Sequence, residues 1–285
     1  MALLQMDLFS ECLTRMVPVN VILPELTEKR RLDNGKIPVL WLLHGATDDH
    51  TMWQRFTSVE LYAQKRGIAV VMPSVETSFY TNTDGGRYFD YVTEELPRII
   101  YSQFPISPLR EDNFVAGMSM GGHGTMKCGF TKPEKYAAMG IFSCGNFIDM
   151  MGTGGMAPGG KRFPLNFIRW QVFGTDDGDL SKCHNTDNDN RYLARLASES
   201  SKPLPKIFAC CGCQDGCHDN EKEDLQYFTS LPNPYDVTFF DGDGVHYFDF
   251  WDRWLNVFNG CRSGADRMRY SDGYGQLWDE LPIQS

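Results

Sequence analysis

The sequence predicts an α/β protein built on a mostly parallel sheet with helices on both faces. Short, nearly continuous apolar runs, typical of strands buried on both faces, recur along the chain. They alternate with longer segments of helical periodicity. This alternation is the pattern of parallel sheets, because two parallel strands need a long crossover connection that a helix normally supplies.

The predicted elements follow in order along the chain. Residues 6–14 and 17–23 predict antiparallel strands at one edge of the sheet. Buried strands are then expected at residues 37–44, 68–72, 113–116, 138–143, 206–211 and 236–240. Helices are expected between them, over residues 52–66 and 90–103 among others. A last helix opens at His246, and its apolar face is formed by Tyr247, Trp251, Trp254, Leu255 and Phe258.

One segment interrupts the alternation before the strand at residues 206–211. Residues 145–201 are rich in Gly, Asp, Asn and aromatic side chains and are long for a connection. We therefore expect an insertion of the kind that forms lids or binding loops. The chain is predicted to form one α/β domain over residues 1–260, with the insertion inside it. A polar C-terminal tail follows over residues 261–285.

Composition excludes several classes of function. The 285 residues include 37 acidic and 27 basic ones, giving a net charge of −10. An acidic chain argues against nucleic acid and anionic membranes as partners, and no apolar run reaches the roughly 18 residues of a membrane span. The N-terminal segment lacks the basic and apolar regions of a signal peptide, so a cytoplasmic location is expected. Aromatic residues in the tail are compatible with a homo-oligomer.

The cysteines raise the question of a metal site. An odd number, nine, in a chain of this length favours reduced thiols over a disulfide framework. Cys210 and Cys213 have the spacing of zinc ligands and His218 follows, but no second pair with such spacing is found. Strand alternation also puts Cys211 and Cys213 on one face and Cys210 on the other. We therefore expect no metal and no other cofactor.

The strongest functional signal is a G-x-S-x-G motif at residues 117–121. It follows a predicted strand and opens a predicted helix, which is the strand–turn–helix that exposes a serine nucleophile. Gly117 and Gly121 are required because a Cβ atom there would clash where the strand folds back against the helix. The alternative is a structural serine in a glycine-rich turn. We predict that Ser119 is a nucleophile.

A serine nucleophile needs a general base and an acid that orients the base. Where this turn occurs, the acid and then the base follow the serine, each just after a later strand. His246 follows the strand at residues 236–240 and is predicted to be the base, whereas His218 falls inside a predicted helix. Asp215, in the turn after the preceding strand, is predicted to be the acid, with Asp219 as the alternative.

The negative charge of a tetrahedral intermediate needs two convergent backbone N–H donors. Met120 follows the nucleophile and is predicted to supply one, and Ala46, after the strand at residues 37–44, the other. Aromatic side chains in loops at the same edge of the sheet are candidates for substrate contact. These candidates are Phe79, Tyr80, Trp170 and Tyr247. The alternative is that such rings anchor the loops to the core.

With these residues placed, the chain resembles the esterase D-like group of α/β-hydrolases, and within it the tributyrin esterases. The group includes feruloyl and acetylxylan esterases, S-formylglutathione hydrolases and mycolyltransferase-like enzymes. The similarity covers residues 6–258 and rests on short stretches at residues 19–24, 42–45, 116–122, 210–215, 244–246 and 250–251. The resemblance implies the α/β-hydrolase fold and a serine carboxylesterase with Ser119, Asp215 and His246 as nucleophile, acid and base.

The sequence therefore predicts an esterase that hydrolyses short-chain acyl esters, acetylated sugar or phenolic esters among them, through an acyl-enzyme. Two departures concern the substrate: Tyr247-Phe248 stands where the group often has Asp-Trp, and the loop after Gly45 lacks the cysteine of S-formylglutathione hydrolases. An acidic insertion disfavours anionic esters. The alternatives are an acyltransferase, an S-formylglutathione hydrolase-like thioesterase and a non-catalytic binding homologue. The expected partner is a small-molecule or oligosaccharide ester.

Overall fold

The computed structural model describes residues 1–25, 35–152, 172–174 and 179–258. Its main sheet comprises β1 (Ala2–Ser10), β2 (Arg15–Leu23), β3 (Val39–Leu43), β4 (Ala69–Pro73), β5 (Asn113–Met118), β6 (Ala138–Phe142), β7 (Lys206–Gly212) and β8 (Val237–Gly242). The order across the sheet is β1-β2-β4-β3-β5-β6-β7-β8. β1 and β2 are antiparallel to each other, and β2 is antiparallel to β4. All other pairs are parallel, so the predicted mostly parallel sheet is confirmed.

Helices flank the sheet and connect its strands. They are α1 (Met52–Phe56), α2 (Val59–Arg66), α3 (Tyr88–Asp90), α4 (Leu96–Gln103), α5 (Met120–Thr131), α6 (Phe147–Gly152), α7 (Asn190–Ser198), α8 (His218–Ser230) and α9 (Phe248–Phe258). A π-helical turn, Tyr91–Glu95, joins α3 to α4, so the helix predicted over residues 90–103 forms. Short 3-10 turns lie at Arg110–Asp112 and Leu180–Cys183, and a small hairpin pairs Asn82–Thr83 with Gly86–Arg87.

The helix predicted over residues 52–66 is interrupted in the structure. Thr57 has φ −135° and ψ 169°, which is extended backbone and ends α1. Its hydroxyl donates to the Trp53 carbonyl, a local side-chain bond that competes with helix continuation. The N–H of Ser58 donates instead to Asp252 Oδ1 at 2.8 Å. The break therefore ties α1 and α2 to α9.

Apolar cores lie on both faces of the sheet. Successive side chains of a strand point to opposite faces. In β3, Val39, Trp41 and Leu43 pack into one core, and Leu40 and Leu42 pack into the other. All five are at most 2% exposed. Burial on both faces explains why this strand is a continuous apolar run in the sequence.

The second half of the insertion packs on the body of the domain. α7 lies against α5, and Asp189 caps α7 by accepting the N–H groups of Arg191 and Tyr192. Lys127 of α5 is buried, and its Nζ donates to Asn188 Oδ1 at 2.7 Å. The central part of the insertion and the tail at residues 261–285 lie outside the described residues. In the described part of the chain, no helix has the length and apolar character needed to cross a membrane.

Candidate active site

Ser119 lies between the end of β5 and the start of α5, at the carboxyl edge of the sheet. Its φ of +55° and ψ of −119° are values that residues other than glycine rarely adopt. Its N–H donates to the Phe142 carbonyl of β6 at 2.9 Å, which helps to hold the turn. Met118 and Met120 on either side are buried, whereas Ser119 is partly exposed. The turn therefore presents the serine hydroxyl at the surface of the site.

Two glycines allow this tight turn. A Cβ atom on Gly117 would lie 2.5 Å from the backbone of Gly121. A Cβ atom on Gly121 would collide with the carbonyl oxygen of Leu43 on β3. The steric reason predicted for Gly117 is confirmed, whereas Gly121 is restricted by the neighbouring strand β3. β3, β5 and α5 therefore meet closely at Ser119.

Asp215 and His246 lie after β7 and β8, which are neighbouring parallel strands. His246 Nδ1 lies 2.8 Å from Asp215 Oδ2 and 3.1 Å from Oδ1. Burial acts to raise the pKa of Asp215, but the hydrogen bond and charge of His246 and the Cys217 N–H lower it below its ordinary value. The ionised carboxylate fixes the proton on Nδ1, which leaves Nε2 of His246 as an acceptor.

Hydrogen bonds join the turn after β7 to the turn after β8. We call the first the acid turn, because it carries the predicted acid Asp215, and the second the base turn, because it carries the predicted base His246. Cys213 N–H donates to the Gly242 carbonyl at 2.8 Å. Gln214 N–H donates to the Gly244 carbonyl at 3.0 Å, and Gly244 N–H returns a bond to Gln214 Oε1 at 2.8 Å. The backbone of Gly244 also lies against Gly212, where any Cβ atom would clash. The two turns therefore form one unit that sets the distance from Asp215 to His246.

The alternative base and acid lie elsewhere. His218 is the first residue of α8, and its Nε2 lies 3.1 Å from Asp241 Oδ2. The alternative acid, Asp219, is 97% exposed and pairs with His218 at 3.0 Å. Of the two candidate acids, Asp215 is the one that the structure brings to His246.

The predicted oxyanion donors lie on two adjoining segments. The N–H of Met120 is the first of α5, and the first N–H groups of a helix have no intrahelical partner. Ala46 lies in the loop after β3, where Asp48 N–H closes a turn on the Gly45 carbonyl at 3.3 Å. Thr47 in this turn has φ +67°. The contact of β3 with Gly121 brings this loop to the start of α5.

Buried polar side chains support the loop after β3, which carries Ala46. Val75 N–H donates to His44 Nε2 at 3.0 Å, so His44 carries its proton on Nδ1, which donates to the Gly45 carbonyl at 2.7 Å. Burial lowers the pKa of His44 to about 4, so its ring is neutral at neutral pH. Tyr80, predicted as a substrate contact, is fully buried and donates its hydroxyl to the His44 carbonyl at 2.9 Å. Tyr80 therefore supports the loop after β3 and does not lie at the surface of the site.

The other predicted substrate contacts differ in their surroundings. Phe79 is 2% exposed and packs on Phe147 and Phe173, with ring centroids 4.1 and 5.5 Å away. It anchors its loop to an aromatic cluster. Tyr247, beside His246, is 54% exposed and remains a predicted substrate contact. Trp170 lies outside the described residues.

Three residues close to His246 were not predicted from the sequence. Trp251 packs edge-on against its ring, with centroids 5.0 Å apart and an interplanar angle of 87°. Cys217 Sγ lies 3.9 Å from His246 Nδ1. Asp48 interacts with the charge of His246, and burial, with the charge of Asp49, raises the pKa of Asp48 to about 6. The spacing along the sequence gave no signal for these contacts.

Two groups of side chains in the described residues have the chemistry of metal ligands. They are Asp215, Cys217 and His246 in one, and Cys213, His218 and Asp241 in the other. The first group contains the predicted acid and the predicted base. In the second, Lys222 Nζ lies 3.6 Å from Asp241 Oδ2, and its positive charge disfavours a cation. The expectation of no metal stays a prediction.

A serine at a strained strand–helix turn, together with a His–Asp pair carried by later parallel strands, is the arrangement of serine hydrolases of the α/β-hydrolase fold. The comparison with protein families gives the same class. The chain belongs to the family described as "Putative esterase", whose model matches residues 10–254.

Individual relatives agree with this assignment. An acetyl esterase of Caldicellulosiruptor saccharolyticus is 27% identical over 274 residues, covering 93% of this chain and 100% of that protein. An S-formylglutathione hydrolase of Paracoccus denitrificans is 31% identical over 133 residues. That match covers 39% of this chain and 47% of the relative, so the chain spans about half of its length.

Solved structures share the fold over nearly the whole chain. The substrate-bound fluorophosphonate-binding serine hydrolase F of Staphylococcus aureus has a TM-score of 0.78 and 29% identity, covering 91% of this chain and 97% of that one. A ferulic acid esterase with 20% identity and a TM-score of 0.70, covering 90% and 95%, shares the fold. The predicted fold and enzyme class are confirmed: the chain is a serine carboxylesterase of the α/β-hydrolase fold.

Proposed function

We propose that Ser119, His246 and Asp215 are the nucleophile, base and acid of this esterase. The observation that carries the proposal is the pairing of His246 Nδ1 with the buried Asp215 carboxylate at 2.8 Å. This pair lies at the carboxyl edge of the sheet, where β5 and α5 present Ser119 on a strained turn. The acid, the base and the nucleophile thus come from three separate turns at one edge of the sheet.

Acylation follows from these positions. His246 Nε2 takes the hydroxyl proton of Ser119 as Oγ attacks the ester carbonyl carbon. The carbonyl oxygen becomes negative, and the N–H groups of Ala46 and Met120 donate to it. The tetrahedral intermediate collapses when the C–O bond to the alcohol breaks and His246 protonates the leaving oxygen. Asp215 remains ionised and stabilises the imidazolium.

Deacylation repeats the same steps with water. His246 removes a proton from a water molecule, whose oxygen attacks the acyl carbon. The second tetrahedral intermediate expels Ser119 Oγ, which regains its proton from His246. The products are a carboxylic acid and the free enzyme.

We place the substrate among short-chain acyl esters of small molecules or oligosaccharides, acetyl esters first. The acetyl esterase relative supports this because the match covers all of that protein.

A cytoplasmic location is part of the proposal and is supported by the eight described cysteines, which are free thiols. A homo-oligomer is also proposed, because Phe9 and Met16, paired across β1 and β2, are 61% and 58% exposed.

Substitution of the nucleophile tests the proposal. Ser119→Ala should lower kcat for p-nitrophenyl acetate by at least about 1,000-fold, because the acyl-enzyme cannot form. A fluorophosphonate probe should label the wild type and not this variant. Ser102→Ala, which changes an exposed serine on α4, is the matched control and should retain activity and labelling. Full turnover or continued labelling of Ser119→Ala would refute the assignment.

A thioesterase activity is the second candidate. It is favoured by the S-formylglutathione hydrolase of Staphylococcus aureus, which has 28% identity and a TM-score of 0.77 over 91% of this chain and 97% of that one. The ratio of kcat/KM for S-formylglutathione to that for p-nitrophenyl acetate measures the preference. We expect the oxygen ester to be preferred, since Asp48 occupies the loop position of the cysteine expected in that branch. For an acyltransferase, added alcohol would yield a new ester in place of the free acid.

A further inference from the structure

Ser143 occupies a buried position beside the acid turn. It directly follows β6, is fully buried and has φ +52°. Its N–H donates to the Cys210 carbonyl of β7 at 2.9 Å. A residue other than glycine with this φ is uncommon and persists where the surrounding contacts fix it. The side chain of Ser143 is therefore held at a defined place between β6 and β7.

The hydrogen bonds of Ser143 have a fixed direction. Trp251 Nε1 lies 2.8 Å from Ser143 Oγ, and an indole N–H is a donor only, so Ser143 accepts this bond. Cys211 Sγ, a weak donor, lies 3.8 Å from the same oxygen. The hydroxyl proton of Ser143 is thus left for another acceptor, and Asp215 is the ionised carboxylate whose pKa the Ser143 hydroxyl helps to lower. Asp215 has no proton of its own to donate, so the direction is consistent throughout.

Trp251 contacts both the ring of His246 and the hydroxyl of Ser143. Its N–H donates to Ser143 Oγ at 2.8 Å, and its ring packs edge-on against His246, with ring centroids 5.0 Å apart. Trp251 is 4% exposed and is held on α9, the helix that follows the base turn. One rigid side chain therefore connects His246 to the serine beside the acid turn.

We infer that Ser143 and Trp251 are positioning residues of the esterase. Trp251 Nε1–H orients the Ser143 hydroxyl, this hydroxyl holds the Asp215 carboxylate, and the Trp251 ring holds the imidazole of His246. The inference rests on the proposed roles of Asp215 and His246. It adds residues that touch neither substrate nor nucleophile but set the geometry and charge of the pair that acts on them.

Loss of the Ser143 hydroxyl should change how the activity of the enzyme depends on pH. Without the hydrogen bond from Ser143, the Asp215 carboxylate attracts the proton of the His246 imidazolium more strongly. His246 would then take up its second proton at higher pH. The acidic limb of the pH profile of kcat/KM, where the base becomes protonated, should move upward. A purely structural residue would lower activity without moving this limb.

Other titratable groups face the Asp215–His246 pair and are present in wild type and in the variants alike. Asp48 lies in the loop after β3, Glu221 on α8, Cys217 in the acid turn, and Cys144 and Cys211 at the ends of β6 and β7. Cys211 loses the weak bond from its Sγ to Ser143 Oγ in the Ser143 variants, but burial raises the pKa of its thiol, so it stays neutral in all of them. A shift of the limb relative to wild type therefore reports the changed hydrogen bonds.

The experiment compares the pH profiles of Ser143→Ala and Ser143→Gly with that of wild type, using p-nitrophenyl acetate. Both variants lack the hydroxyl, but glycine adopts φ +52° without strain. Comparing the two variants therefore separates the effect of losing the hydroxyl from the effect of backbone strain. For both we expect kcat to fall about tenfold and the acidic limb to rise by about half a pH unit or more. KM should stay within about twofold, because the substrate is not contacted.

Substitution of Trp251 tests the other end of the proposed series of hydrogen bonds. Trp251→Phe removes the N–H and keeps an aromatic ring, so the acidic limb should move in the same direction as in Ser143→Ala. Trp254→Phe is the matched control on the same helix. Trp254 stacks on Phe240 at 4.6 Å, and its Nε1 has no hydrogen-bond partner among the described residues. Its profile should overlay that of wild type.

Two results would overturn the inference. One is that the profiles of both Ser143 variants overlay that of wild type. The other is a fall in kcat together with a lower thermal midpoint and an unmoved acidic limb, which would mean a structural role alone. Failure of the proposed catalytic roles is distinguishable, because it would be seen as retained activity in Ser119→Ala.

Discussion

Glu221 is a buried carboxyl group whose charge interacts with that of Asp215, the proposed acid. It lies on α8, is 1% exposed, and its Oε2 accepts the Cys144 N–H at 2.8 Å. Burial, and to a smaller extent the charge of Asp215, raise its pKa well above the ordinary 4.5. A proton on Glu221 keeps a second negative charge away from Asp215. Of the two neighbouring carboxyl groups Glu221 and Asp215, Asp215 alone is then ionised.

This protonation predicts a pH-dependent stability. In the unfolded chain Glu221 loses its proton near 4.5, whereas the native state retains it at higher pH. The native state then binds more protons than the unfolded state, so its stability falls as pH rises above that value. Glutamine cannot ionise and keeps an acceptor for Cys144 N–H. We expect Glu221→Gln to raise the thermal midpoint at neutral pH, with a gain that shrinks towards acidic pH.

Thermal denaturation followed by circular dichroism at several pH values checks this expectation. Glu223→Gln, an exposed carboxyl group on the same helix, is the control and should show no such pH-dependent gain. A midpoint for Glu221→Gln that is lower than wild type at neutral pH, or a gain that does not depend on pH, would contradict the protonated state.

At the scale of single residues, the sequence identified groups whose chemistry is tied to a local motif. The strained turn predicted at Ser119 forms because Gly117 and Gly121 are steric requirements that can be read from adjacent positions. Ser143 and Trp251 could not be found in this way, because they lie 108 residues apart in the chain. Their contact depends on the packing of α9 against β6, which no local pattern encodes.

At the scale of elements, the contact of β3, β5 and α5 is the most sterically restricted part of the site. Gly121→Ala would place a methyl group against the backbone of Leu43, which cannot move without displacing β3. Overpacking of this kind costs about 1–3 kcal/mol. We expect a lower free energy of unfolding and a loss of esterase activity, since Ser119 and Met120 would shift with the turn.

The measurement is urea denaturation together with turnover of p-nitrophenyl acetate. Gly242→Ala is a suitable control, because nothing lies within 4 Å of a Cβ atom at the end of β8. Its stability and activity should be close to those of wild type. Equal effects of the two substitutions would show that the close approach at Gly121 is not what requires glycine there.

Strands and helices could be predicted from the sequence where burial alone determines their pattern of apolar residues. β3 through β7 were found because strands buried on both faces are continuous apolar runs. The break at Thr57 was missed because it depends on a bond from Ser58 to Asp252, which lies on another element. Likewise, Phe79 and Tyr80 were recognisable as loop aromatics, but whether they face the substrate or the core depends on contacts with His44 and Phe147.

At the scale of the whole molecule, net charge and site charge have the same sign. The chain carries a net charge of −10, and Asp48 adds a carboxyl group that interacts with His246. Because its pKa is about 6, Asp48 becomes negative as pH rises through that value. An ester whose acyl group bears a carboxylate should therefore be a poorer substrate than a neutral ester of similar size. The difference should grow as pH rises through the pKa of Asp48.

Salt separates this electrostatic selectivity from a steric one. The Debye length falls from about 30 Å at 0.01 M salt to about 3 Å at 1 M, so charge repulsion is largely screened at high salt. We expect the ratio of kcat/KM for p-nitrophenyl acetate to that for the p-nitrophenyl half-ester of succinic acid to fall as salt rises. Asp48→Asn should lower the same ratio at low salt, while Asp84→Asn, in the hairpin at residues 82–87, should have a smaller effect. A ratio that is insensitive to both salt and Asp48 would mean that the shape of the site, and not its charge, selects the acyl group.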